Sequence, residues 1–147
     1  MGVGNPIRRD DAVGLEVVSS LRRQFGPRPC PGVVIHPPSL SPERLISKVA
    51  EKGGRILLFD AVEANSEPGR VFCASLADTK YGFFATHNVP LRLIPGVAAD
   101  LRSTCVVGIQ PESLEVGEGL SETAEAAKKM VVARIGEIIG GVGNGHH

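Results

Sequence analysis

The sequence predicts a doubly wound α/β domain: a mostly parallel, twisted sheet with helices on both faces, a three-layer sandwich. Two observations predict it. Segments whose apolar residues recur three and four apart alternate with short, unbroken apolar runs, the pattern of helices crossing between buried strands. The 147 residues, 42% hydrophobic and 22% charged, suffice for one such domain and are too few for two of ordinary size.

The elements follow in order. Between Asp11 and Phe25, the residues Gly14, Val17, Val18, Leu21 and Phe25 line one helix face, and Gly26-Pro27 stops the helix. Val33-Val34-Ile35 reads as a short buried strand. Ser41 caps a second helix, with Pro42 in its first turn, where no amide donor is missed. Leu45, Ile46, Val49 and Ala50 face inward from it, and Gly53-Gly54 ends it. Arg55–Asp60 is a strand buried on both faces that closes on a carboxylate. A turn at Pro68-Gly69 leads into a strand over Val71–Ala74. Thr86 caps a short helix from His87 to Ile94, with Pro90 confined to its start. Thr104–Ile109 is another buried strand. Ser121 caps a final helix in which Ala124, Ala127, Val131, Ile135 and Ile138 share a face. One domain therefore spans residues 1–139, and the glycine-rich residues 140–147 form a flexible tail ending in His146-His147.

Sixteen basic residues balance sixteen acidic ones, which argues against a binder of nucleic acid or of a membrane surface. No apolar run approaches the roughly 20 residues that span a bilayer, and the first residues lack the charge and apolar stretch of a secretory signal. Cys30, Cys73 and Cys105 are odd in number and far apart. They fit neither a zinc spacing nor a disulfide framework and point to reduced thiols in a cytoplasmic protein.

Gly2-Val3-Gly4-Asn5 looks like the start of a dinucleotide loop, but Ile7 stands where the third glycine belongs and no acid closes the strand at Ile35-His36. The plainer reading is a tight turn that lets backbone pass close by. It leads to Asp10-Asp11 at the mouth of the first helix, where either acid can serve as a cap. Asp60 stands at the carboxyl end of a strand, the rim where such sheets bind ligands. With His87, Asp11 and Asp60 would offer two hard oxygens and an imidazole nitrogen. That donor set suits a divalent transition ion, either polarising a peptide carbonyl or holding a metal-bearing substrate in register.

Four ordered motifs then resemble the hydrogenase maturation endopeptidases. They are Gly2–Pro6 with Asp10–Gly14, Leu58–Ala61 with Pro68-Gly69, Thr86–Leu91, and Gly108–Glu112. Ser41-Pro42-Glu43 and Thr86-His87-Asn88 are most similar to the HycI branch. The resemblance implies an aspartic-type endopeptidase that trims the C-terminal extension from the large-subunit precursor of a nickel–iron hydrogenase after nickel insertion. It implies Asp11, Asp60 and His87 as the catalytic and nickel-contacting residues, with nickel carried by the substrate. The expected partner is that precursor, with no nucleic acid or membrane involved, and the protein is expected to be a cytoplasmic monomer, since nothing in the chain demands a dimer.

Two departures from the family pattern stand out. Only Met1 precedes Gly2 where members carry an apolar first strand, so the domain reads as shortened there. His36-Pro37-Pro38 replaces an Asp-Gly-Gly-like segment, making a stiffer loop in which His36 is a base, an extra ligand or a plain loop residue. A non-catalytic maturation factor that binds the nickel-loaded large subunit is the alternative reading of the same donors.

Overall fold

The structure, a computed structural model, describes residues 1–38, 43–75 and 104–144. Helix α1 (Val13–Phe25) follows a 3-10 turn over Arg9–Ala12, and α2 spans Glu43–Glu51. Strand β1 (Ile56–Ala61) is followed by β2 (Val71–Ser75), β3 (Thr104–Ile109) and the long helix α3 (Glu122–Asn144). The sheet order is β1-β3-β2. Parallel pairing joins β1 to β3 from Ile56↔Thr104 to Ala61↔Ile109, and β2 runs antiparallel along the other side of β3.

Strand alternation divides the core in two. Phe59, Ala61, Val107 and Ile109 pack with Val13, Val17, Val18 and Leu21 of α1 and with Ala124, Ala127 and Val131 of α3. Ile56, Leu58 and Val106, on the opposite face, pack with Ile46 of α2 and with Met1 and Val3. Helices therefore cover both faces, as the periodicity predicts. The Lys128 ammonium ties α3 to α1 at 3.9 Å from Glu16. Glycines stop α1 and α2 as expected. Gly26 donates to Arg22 O (2.9 Å), while Gly53 and Gly54 donate to Ala50 O (2.9 Å) and Val49 O (3.0 Å).

Several expectations are corrected. Val33-Val34-Ile35 is not a strand; only an isolated bridge, Cys30↔Val33, forms there. Its backbone groups are satisfied locally: Val33 N–H by Cys30 O (3.1 Å), Ile35 N–H by Pro27 O (2.8 Å), and Ile35 O by the Arg22 guanidinium. The edge of β1 away from β3 is instead paired by residues 1–3, and a cavity of about 410 Å³, lined among others by Met1, Leu21, Val34, Ile35, Leu57 and Ile138, lies beside both segments. In α3 the inward residue near the end is Ile139 (9% exposed), and Ile138 is 57% exposed. The expected tail, residues 140–147, is helical through Asn144, because each further residue of an established helix adds a hydrogen bond. Ser41, Pro42 and the expected helix from Thr86 through Ile94 lie outside the described residues.

The edge of β1 away from β3 is paired by the first three residues. Phe59 N–H donates to Met1 O (2.9 Å), Val3 N–H to Phe59 O (3.0 Å), and the Met1 ammonium to Leu57 O (2.7 Å). This stretch lies parallel to β1 through the Gly2↔Phe59 bridge. It leads the chain directly to the carboxyl end of the sheet.

Candidate active site

The glycine turn works through contact rather than phosphate binding. A Cβ on Gly2 would stand 2.3 Å from Gly14 O, and one on Gly14 would stand 2.1 Å from Phe59 O. At Gly4, whose φ is +154°, a Cβ would meet Asp11 O at 1.9 Å. Only glycine lets the first residues, the start of α1 and β1 lie this close. Asn5 then folds the turn, its side-chain oxygen accepting Ile7 N–H at 3.1 Å. Asn5 N–H donates to the Asp11 carboxylate (Oδ2, 3.1 Å) and to Asp11 O (3.3 Å). The motif thus grips Asp11 by both its backbone and its side chain.

The adjacent acids, alike in sequence, separate in role. Asp10 is fully buried, and its two oxygens accept four hydrogen bonds. Ser121 N–H reaches Oδ1 at 2.7 Å; Ser121 Oγ (2.7 Å), Glu112 N–H (2.8 Å) and Ser113 N–H (3.2 Å) reach Oδ2. Burial alone would raise its pKa, but the donors from Ser121, Glu112 and Ser113 outweigh it and hold the carboxyl below its ordinary value. With four donors on its two oxygens, three of them on Oδ2, this carboxylate is engaged in holding other parts of the chain. Asp10 is a structural hub.

Asp11 and Asp60 are the pair brought together. Each is 2% exposed, Asp11 on the turn before α1 and Asp60 near the end of β1, opposite Gly108 of β3. Burial first, and the neighbouring Asp11 charge second, push the Asp60 carboxyl well above the usual range, against the pull of a hydrogen bond from Ala61 N–H. A second buried acid beside Asp60 in a dry site favours a cation between them. That is a fit for a divalent ion, with hard oxygens as donors. His87, the third expected member, lies outside the described residues. Among the described residues no group of three or more His, Cys, Asp or Glu side chains forms a metal cluster.

His36 does not join the acids. It lines the cavity beside β1, and burial, then the Met1 ammonium, Arg22 and Arg28, lower its pKa. That cationic setting disfavours a further positive ion.

Gln110, just past β3, has a structural role that its motif alone did not reveal. Its Oε1 accepts Ala64 N–H (2.8 Å) and Ser66 N–H (3.2 Å), and its Nε2 donates to Glu63 Oε1 (2.9 Å). It thereby clamps the loop that leaves Asp60. The only sequence signal was its place in the run Gly108–Glu112, which names the position but not the partners.

Comparisons with known proteins bear on the family and the fold. Residues 15–138 match the HycI family, described as hydrogenase maturation protease. A Methanocaldococcus jannaschii protein, whose name assigns it by inference to the hydrogenase maturation proteases, is 31% identical, the match covering 94% of each chain. The crystal structure of the nickel–iron hydrogenase maturation protease HycI from Thermococcus kodakarensis superimposes with a TM-score of 0.74 at 27% identity, over 94% of this chain and 88% of that one. The hydrogenase maturating endopeptidase HybD from E. coli shares the fold, with a TM-score of 0.67 at 22% identity, over 91% and 86%.

Proposed function

The chain belongs to the hydrogenase maturation protease family, and on that premise we propose that it is an endopeptidase that removes the C-terminal extension of a nickel–iron hydrogenase large-subunit precursor once nickel is in place. The observation that carries the proposal is the buried pair Asp11–Asp60 at the carboxyl end of the sheet, held by the glycine turn on one side and β1 on the other.

Nickel belongs to the substrate in this reading. Two buried carboxyls that repel each other are poorly disposed toward a neutral partner and well disposed toward a cation. A precursor bearing nickel brings the missing charge, and one without it does not. Discrimination between loaded and empty clients then follows from electrostatics. Asp11, Asp60 and His87 contact the nickel, and the docked metal holds the scissile peptide bond beside the pair. Asp60, once the cation has displaced its proton, is the carboxylate that activates water in an aspartic-type reaction. The three free thiols accord with a cytoplasmic workplace, and the protein acts as a monomer.

Mass spectrometry of a nickel-loaded precursor, before and after incubation with the protein, tests this. The expected result is loss of the C-terminal peptide from loaded precursor alone. An unchanged mass with binding retained would instead make the protein a maturation factor without peptidase activity. Asp60→Ala is expected to abolish cleavage while the protein stays folded; cleavage at the wild-type rate by that variant would remove Asp60 from the chemistry.

A further inference from the structure

We propose that Asp10 is the positioning residue of the site, fixing Asp11 beside Asp60 by fastening three otherwise separate parts of the chain to one carboxylate. The inference rests on the reading of Asp11 as the acid that meets the client's nickel. The parts are the turn Arg9–Ala12, the Glu112-Ser113 backbone beyond β3, and Ser121 at the mouth of α3. The bonds from Ser121 N–H and Oγ are 2.7 Å each, and that from Glu112 N–H is 2.8 Å. The backbone reinforces the junction: Asp10 N–H donates to Ser113 O at 3.1 Å, and Arg9 N–H to Gly117 O at 3.0 Å.

The segment needs such a fastening. Arg9, a residue with a Cβ, sits at φ +44°, a conformation that persists only when its surroundings over-determine it. The 3-10 turn has four residues and no side-chain cap at its start. Released from Asp10, the turn would relax, and Asp11 would move with it because the two share a peptide bond. The Asn5 N–H held by Asp11 would be released as well.

Asp10→Asn tests the idea with nearly unchanged volume, since the amide turns one acceptor oxygen into a donor facing N–H groups. Two readouts are taken, the second needing no client. In processing of nickel-loaded precursor, kcat is expected to fall on the order of 100-fold, the scale of a displacement of about 1 Å in a reacting group, with KM little changed. In amide hydrogen exchange of the protein alone, Asn5 is expected to exchange at least about tenfold faster while the amides in the middle of α1 keep their protection. Should Asp10→Asn fail to fold, Ser121→Ala removes the hydroxyl bond to Asp10 together with that hydroxyl's bonds to Ala124 N–H (3.2 Å) and Thr123 Oγ1 (3.2 Å); it is expected to move both readouts in the same direction by less, with Ser121→Thr restoring them. Unchanged Asn5 exchange overturns the proposal. So does a loss confined to stability, with the folded fraction cutting at the wild-type kcat. If the wild-type protein cuts no loaded precursor, the proposed function fails, while the exchange readout still decides the role of Asp10.

Discussion

The two ends of β1 are built in opposite ways. At its carboxyl end, backbone lies against backbone: Gly14 leaves no room for a Cβ between Phe59 O and Val3 O, and polar side chains occupy defined hydrogen bonds. At its amino end the strand borders a cavity of about 410 Å³, flanked by Val34 and Ile138, which are 42% and 57% exposed. Apolar packing is tolerant of shape and accepts a loosely filled groove. Two buried acids are not tolerant, since their position sets their charge. Precision is concentrated where the chemistry is proposed to occur.

The largest effect expected from this contrast is at Gly14. Gly14→Ala places a methyl group 2.1 Å from Phe59 O, so α1 and β1 must separate. A loss of about 3 kcal/mol or more, or failure to fold, is expected in urea denaturation. A cost below about 1 kcal/mol would mean that the acid end is as accommodating as the other.

Next in size is Gln110→Ala. It deprives Ala64 and Ser66 N–H of their acceptor and Glu63 of its donor. Because the loop is only partly buried, water can replace some of these bonds, and a loss of about 2 kcal/mol is expected. Processing should fall more than stability alone explains, since this loop begins where Asp60 leaves the sheet. Gln110→Glu keeps an acceptor for the two amides and should recover part of both.

What the sequence revealed follows the same division. Helix α1 and strands β1 and β3 were legible because their periodicity reflects burial, which is a property of each segment. The strand expected at Val33–Ile35 failed because a strand needs an edge to pair with, and pairing is a property of two segments. At the acid end, Asp11 and Asp60 were legible as carboxylates at helix and strand termini. The difference between Asp10 and Asp11 was not. It depends on amides from Glu112, Ser113 and Ser121 that lie far along the chain and approach only in the fold. The role of Gln110 was hidden for the same reason.

The pH dependence sharpens the comparison further, with an effect smaller than those above near pH 4. Asp60 in the folded protein titrates well above the ordinary range, while the unfolded acid titrates near about 4. Between those values the native state holds more protons than the unfolded one, so stability is lost as pH rises through the window. Asp60→Asn removes this titration and keeps the shape. Its thermal midpoint is expected to exceed that of the wild type at pH 8, with the gap closing as pH falls toward 4. A gap independent of pH would show that Asp60 is ionised throughout in the native state.

The smallest effect belongs to the amino end of β1. Ile138 borders the cavity but is more than half exposed, and the inward position in this turn of α3 belongs to Ile139. Ile138→Gln exchanges an exposed apolar side chain for a polar one with better helix propensity. Stability is expected to stay within about 0.5 kcal/mol, and processing of loaded precursor to be unchanged. A cost above about 1 kcal/mol in urea denaturation would mean that Ile138 is drawn inward in solution and the groove beside β1 is closed. The amino end would then be packed as closely as the acid end, and the asymmetry along β1 would have to be attributed to charge alone.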